Sequence, residues 1–328
     1  MMKRLTVIAM ALGGLGTVAL STPALSADQY TMAVGSLGGT FGRLGAGLTE
    51  VFNQNNEDQK LSVVPGGGKA NPARIGSGGA DIGFSFGNLV SNAIKGEFPY
   101  APKKYANLRM IGAFYDSCYH QYASKERFDD GIKTIDDFVA SKEPLGISVG
   151  KKGTSTEFVS SVMLKHLGTD YKALEKRDFK IVFAGVGASS RQILSRSIDF
   201  YFHNSGIPNA AGIQAHLARD LTFLKMSDGI RGALIKAGFN DCVIPGGLYK
   251  GAPNDVKSVG TSGIIIATDK TPDKLVYNFI KTAWENRKTL NEVHKIFTRW
   301  DLKKASKDLG VPFHPAAIKF YKEQGVMN

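Results

Sequence analysis

The chain has 328 residues, 43% of them apolar and 21% charged, an ordinary globular balance that excludes a disordered chain and leaves room for two domains with cores of their own. The formal net charge is +12. Because the lysines and arginines are spread along the chain and no nucleic-acid motif is present, an anionic small ligand or an acidic partner face fits this excess better than nucleic acid, as does a merely soluble basic surface.

Lys3 and Arg4 precede an apolar run from Leu5 to Leu20, and small residues follow at Ser21, Ala24, Ser26 and Ala27. The pattern predicts a secretory signal peptide over residues 1–27, cut after Ala27 or, as second choice, after Ala24. A membrane anchor is the competing reading; it is disfavoured because the run is shorter than the ~20 residues of a spanning helix and contains Gly13, Gly14 and Gly16. No cysteine follows either cleavage point to carry a lipid, so a soluble, exported chain is expected.

Thr31 to Val34 reads as a buried strand, Gly35 to Thr40 as a glycine turn, and the stretch to Phe52 as a helix with Leu44, Leu48, Val51 and Phe52 on one face. Such a turn leads from the carboxyl end of a strand to a helix N-terminus, where unpaired N–H groups and the positive dipole end favour an anion. Lys60 to Val64 is a short strand, and a helix begins near Asn71 and Pro72. Gly68-Lys69 is not a phosphate loop, which needs a glycine at Val63 and a hydroxyl at Ala70. The strand from Asp81 ends in Gly83-Phe84-Ser85-Phe86-Gly87, a match to the G-x-S-x-G nucleophile elbow and the strongest enzymatic signal in the chain. Asp199 with His203 or His314 would complete a triad. Against a secreted serine hydrolase, no glycine-rich oxyanion strand precedes Ser85, and the same geometry serves a binding loop.

Leu108 to Ser124 is a long extended segment suited to crossing between two lobes, with a return crossing near Gly251 to Thr261. Thr134 is positioned to cap a helix reaching Ala140. The glycine-turn device then recurs from Ile147 to Ser155, followed by a helix with Phe158, Val159, Val162, Met163 and Leu167 on one face. Val34 and Val149 are 115 apart, and Asp81 and Asp199 are 118 apart. Two units at a nearly constant offset predict two similar lobes, each pointing a helix N-terminus at a shared cleft, although α/β proteins repeat such units in any case.

Lys180 to Ala184 is a strand, and the Gly185-Val186-Gly187 that follows is weak evidence for a dinucleotide fold, since Ser190 occupies the third glycine position. For His203, a loop histidine with a satisfied hydrogen bond is favoured over chemistry. The six histidines form no i, i+4 pair and the two cysteines are 124 apart, so zinc spacing is absent. Cys118 and Cys242 are either one disulfide or two buried free thiols. Ile264 to Ala267 is a strand, and Thr271-Pro272 opens a helix as N-cap and N1, with Leu275, Val276, Phe279, Ile280, Ala283 and Trp284 on its packed face. A last helix runs near Ala316 to Glu323.

Six segments carry a family resemblance: Gly38-Gly39-Thr40-Phe41, Gly78 through Phe84, Gly150 through Glu157, Ile244 through Tyr249, Asp273 through Tyr277, and Phe313-His314-Pro315. In this order and spacing they resemble the TAXI family of extracytoplasmic solute receptors, which serve tripartite ATP-independent periplasmic (TRAP) transporters. The resemblance covers essentially the whole chain after the signal segment. It implies an α/β periplasmic binding protein, type II-like, with two lobes, each a mixed sheet flanked by helices, and a cleft between them. Such a receptor has no catalysis, cofactor or metal. It closes on a small carboxylate, amino-acid-like or dicarboxylate and often glutamate-like, and hands it to a TRAP-type membrane permease. Two departures, Gly42 after Phe41 and Ser85-Phe86-Gly87-Asn88 in place of a polar run, imply a carboxylate bulkier or less polar than glutamate.

The lobes are expected at residues 28–117 plus 255–328 and at residues 118–254. The ligand is expected among Gly38, Gly39, Thr40, Phe41, Ser85, Asn88, Gly153, Thr154, Ser155, Asn204, Ser205 and Tyr249. Its anionic end should meet N–H groups near Gly39 and Gly153. A periplasmic monomer is expected, and a secreted scaffold or surface antigen without a small ligand is the bland alternative.

Overall fold

The computed structural model describes residues 27–36 and 38–328. The signal segment, Ala27 excepted, lies outside the described residues.

Ten strands form one curled, mixed sheet: β1 (Asp28–Ala33), β2 (Gln59–Val64), β3 (Ile82–Phe86), β4 (Leu108–Ser124), β5 (Gly146–Ser148), β6 (Lys180–Val182), β7 (Phe200–Gly206), β8 (Leu221–Phe223), β9 (Asn240–Ile244) and β10 (Val256–Thr268). Their order is β2-β1-β3-β10-β4-β7-β5-β6, with β8 on β4 and β9 on β10. Helices pack against it, which is the expected α/β class, but the two mixed sheets are continuous with each other.

The continuity comes from two long strands. β4 has 17 residues, enough for roughly 55 Å at about 3.3 Å per residue. It pairs antiparallel with β10 from Leu108 to Cys118 and with β7 from Ser117 to Ala123, so it changes partner at Ser117 and Cys118. β10 runs back beside it, covering part of the expected return segment. The internal repeat is visible in the pairing. β1 is flanked by β2 and β3, all parallel, and β5 is flanked by β6 and β7, all parallel.

Local structure follows the side chains. The helix Thr40–Asn55 buries Leu44, Leu48, Val51 and Phe52, and the helix Ser155–His166 buries Phe158, Val159 and Met163. Thr134 caps the helix Ile135–Ala140 through a reciprocal box with Asp137. One expected cap is corrected. The helix after β10 is Asp273–Glu285, with Pro272 as its N-cap. Thr271 instead turns its hydroxyl onto the Asp81 carbonyl at 3.2 Å and accepts the Thr268 N–H at 3.0 Å, closing the corner between β10 and that helix. Trp284 is half-buried against Trp300, with ring centroids 5.9 Å apart. The last helix is Pro315–Glu323, capped by the His314 ring.

Cys118 and Cys242 are joined in a disulfide with Cα atoms 5.9 Å apart, which decides between the two readings of the cysteines. Among the described residues no helix is long and apolar enough to cross a membrane.

Candidate functional site

Three helix N-termini converge on one cleft. Beyond β1 the Ser36 carbonyl accepts the Gly39 N–H at 2.8 Å, and this turn delivers Thr40 as the first residue of a 16-residue helix that no side chain caps. Beyond β5, Thr154 caps the helix Ser155–His166 by accepting the Glu157 N–H. Beyond β6, Gly185 opens the helix Val186–Leu194, again without a side-chain cap. A Cβ on Gly39 would stand 3.5 Å from Val186, and one on Gly185 would stand 3.6 Å from Ser36 Oγ, so the first and third turns face each other closely.

The two halves of the sheet touch across the cleft. The Gly153 carbonyl accepts the Lys69 and Ala70 N–H groups at 3.1 and 3.0 Å, and Lys69 Nζ reaches Glu157 at 2.7 Å. This approach needs glycine at position 67, where a Cβ would fall 2.6 Å from the Gly153 oxygen. Gly153 itself has φ +84°, a conformation that side chains disfavour.

The cleft volume is about 60 Å³. It is below the ~300–1,000 Å³ of drug-sized sites, so the cleft in this conformation has room for a ligand of a few heavy atoms. One wall is aromatic. Phe41 lies 4.6 Å from Phe84, 4.8 Å from Phe86 and 5.8 Å from Tyr115, centroid to centroid. The opposite wall is polar, built from Lys151, Ser155, Thr156, Tyr201, His203 and Asn204. Tyr201 is 1% exposed, and its hydroxyl has no hydrogen-bond partner among the described residues. Burial raises its pKa, so it stays a donor. His203 is pushed down to about 3, first by burial and then by the neighbouring His120, so its imidazole is neutral.

Six of the twelve expected ligand residues line this cleft: Gly39, Thr40, Phe41, Thr154, Ser155 and Asn204. Asn204 is fixed there by its N–H on Thr156 Oγ1 and its side-chain amide on Ser155 Oγ, both 3.0 Å. The other six stand behind or beside it. Gly38 flanks the first turn, where a Cβ would be 3.8 Å from Gly187 N, and Gly153 supplies the bridging carbonyl. Ser85 is fully buried and donates to the Gly68 carbonyl at 2.7 Å. Asn88 accepts from Thr261 at 3.0 Å. Ser205 donates to the Gly206 carbonyl. Tyr249 is buried among aromatics, bonded to His120 Nε2 at 3.0 Å and to the Asn209 N–H at 2.8 Å.

The hydrolase triad does not assemble. The Ser85 proton is committed to a carbonyl, and Asp199 is held by Arg219 at 2.9 Å and Arg127 at 3.3 Å.

Sequence reading missed Ser36, Gly67, Gly68, Tyr115, Lys151, Gly185 and Val186. The signal for Gly185 and Val186 was present: it is a third strand, glycine turn and helix, set aside as an incomplete dinucleotide motif.

Residues 32–325 match the NMT1-like family. Among solved structures, MatC from Rhodopseudomonas palustris with bound malate is similar with a TM-score of 0.54 and 14% identity, over 84% of this chain and 90% of that one. A binding protein component of an ABC phosphonate transporter from Pseudomonas aeruginosa gives 0.50 and 9% identity, over 84% and 80%. The periplasmic aliphatic sulphonate binding protein SsuA from Escherichia coli gives 0.43 and 13%, over 91% and 84%. At these identities the first two share the α/β fold with this chain.

Proposed function

The chain belongs to the NMT1-like family, and from that premise we propose that it is a substrate-binding receptor of a transport system, not an enzyme. In this reading it is exported to the periplasm as a soluble monomer, closes on a small carboxylate and delivers it to a membrane permease, of the TRAP type that the TAXI resemblance implies. The lobes are residues 28–117 plus 255–328 and residues 118–254, and closure is a hinge in the crossing strands β4 and β10. The carrying observation is the convergence of three helix N-termini on a cleft that also holds the buried, unpartnered Tyr201 hydroxyl. A carboxylate would satisfy that hydroxyl and the unpaired N–H groups together. Malate, which MatC holds, belongs among the first compounds to try.

A thermal-shift screen of mono- and dicarboxylates and amino acids tests the reading, because a ligand that binds only the folded state raises the melting temperature by mass action. A saturable rise with a small carboxylate is expected. No rise with any of them, or ester turnover abolished by Ser85→Ala, would overturn it.

A further inference from the structure

Donors and acceptors are unevenly divided in the cleft. The Ser155, Thr156 and Val186 N–H groups have no partner among the described residues. The Tyr201 hydroxyl is likewise unpartnered, and no ion pair engages Lys151 among the described residues. Many of the lining carbonyls, in contrast, are already occupied. Ser36 O accepts Gly39 N, Gly67 O accepts Ala70 N and Asn71 N, and Lys151 O accepts Thr154 N. Gly68 O accepts Ser85 Oγ at 2.7 Å and Ala184 O accepts Ser189 Oγ at 3.2 Å. No Asp or Glu is among the described lining residues, and Glu157, just beyond Thr156, is turned to Lys69. The acceptors that remain, such as the neutral His203 imidazole, carry no charge.

An α-ammonium brings a full positive charge and three N–H donors. In this cleft it would meet the positive ends of three helices and no carboxylate, and a buried charge without a partner is strongly disfavoured. A hydroxyl or keto group at the same carbon meets no such conflict, since neutral His203 can accept from the one and donate to the other.

We infer that the ligand is an anion without an ammonium group: a hydroxy, keto or unsubstituted carboxylate of few heavy atoms, and not an amino acid. The inference rests on the carboxylate-receptor reading and narrows its ligand class.

Calorimetric titration of the purified protein, stripped of any carried-through ligand, would use pairs that differ only at the α-carbon: malate and aspartate, lactate and alanine, 2-oxoglutarate and glutamate. In any pair that binds, the hydroxy or keto member is expected to bind at least ~10-fold tighter, because a site lacking the partner of a buried polar group rejects it strongly. Tyr201→Phe is expected to weaken that binding at least ~5-fold without lowering the melting temperature of the unliganded protein, since it removes a hydroxyl that has no partner there. An amino member that binds as tightly as its counterpart overturns the inference and leaves the receptor reading standing. Binding by no member of any pair overturns both. Unchanged affinity in Tyr201→Phe overturns the assignment of that hydroxyl to the ligand.

Discussion

Lys69 Nζ and the Glu157 carboxylate meet at 2.7 Å across the cleft, one side chain from each half of the sheet, with 28% and 10% of their side-chain surface exposed. Together with the Lys69 and Ala70 N–H groups on the Gly153 carbonyl, the pair bridges the two halves of the sheet. The pair is mostly buried, so removing one partner costs more than the ~0–1 kcal/mol of an exposed pair, and Glu157→Gln is expected to weaken ligand binding at least about 5-fold. Wild-type affinity should fall with added salt more steeply than that of the variant, because only the wild type has the pair to screen. Equal affinity at every salt concentration would remove the pair from closure.

The disulfide Cys118–Cys242 ties β4 to β9 over a sequence separation of 124 residues, and both strands pair with β10. Cross-linking so long a loop restricts the unfolded chain, and the double variant Cys118→Ser/Cys242→Ser should lose about 2–5 kcal/mol of unfolding free energy. Urea denaturation with and without reductant measures this. A wild-type midpoint indifferent to reductant would argue against it.

Stability should fall on acidification below neutral pH. Burial is the leading cause of the lowered pKa of His120, pushed down to about 4, and of His203, pushed down to about 3; it also lowers His216, His294 and His314. Each takes up its proton at lower pH when folded than when unfolded, where the ordinary value is near 6.5, so in that interval the unfolded state binds more protons. The stability is complete above pH 6.5 and is lost as pH falls towards the folded values, by up to about 1.4 kcal/mol per pH unit for each histidine. Melting scans from pH 8 to pH 4.5 should show the decline, and His120→Asn should flatten it. A profile flat over that range would contradict the burial of these rings.

Much of this architecture is legible in the chain. The offset between Val34 and Val149 foretells two similar units, which the structure builds as the parallel trios β2-β1-β3 and β6-β5-β7, because the same run of strand, glycine turn and helix meets the same packing demands twice. The site is half legible, and the reason is the two-residue period of a strand. Ser85 and Phe86 are neighbours on β3, yet Phe86 lines the cleft while Ser85 faces the loop at Gly68. A motif names a strand end but not which face a given residue presents, so an offset of one residue reverses the answer. Tyr115 was illegible for a related reason: an aromatic in the apolar run from Leu108 to Tyr115 carries no mark that it lines the cleft.

Thr40→Asp tests whether the first helix N-terminus is an anion site or only architecture. Thr40 is half-buried at the first position of a helix whose N-cap, Gly39, contributes no side chain and whose first turn holds no acidic residue. A carboxylate there should strengthen the helix by ~0.3–1 kcal/mol through the dipole, so the variant is expected to fold at least as well as wild type. An anionic ligand at that terminus would meet a like charge in a partly desolvated cleft. Its affinity should fall at least ~10-fold, about 1.4 kcal/mol, a lower bound because burial strengthens the repulsion. Thr40→Asn has nearly the same shape without the charge, and should lose much less. If calorimetry finds Thr40→Asp binding the carboxylate as well as wild type, the turn after β1 holds no anion.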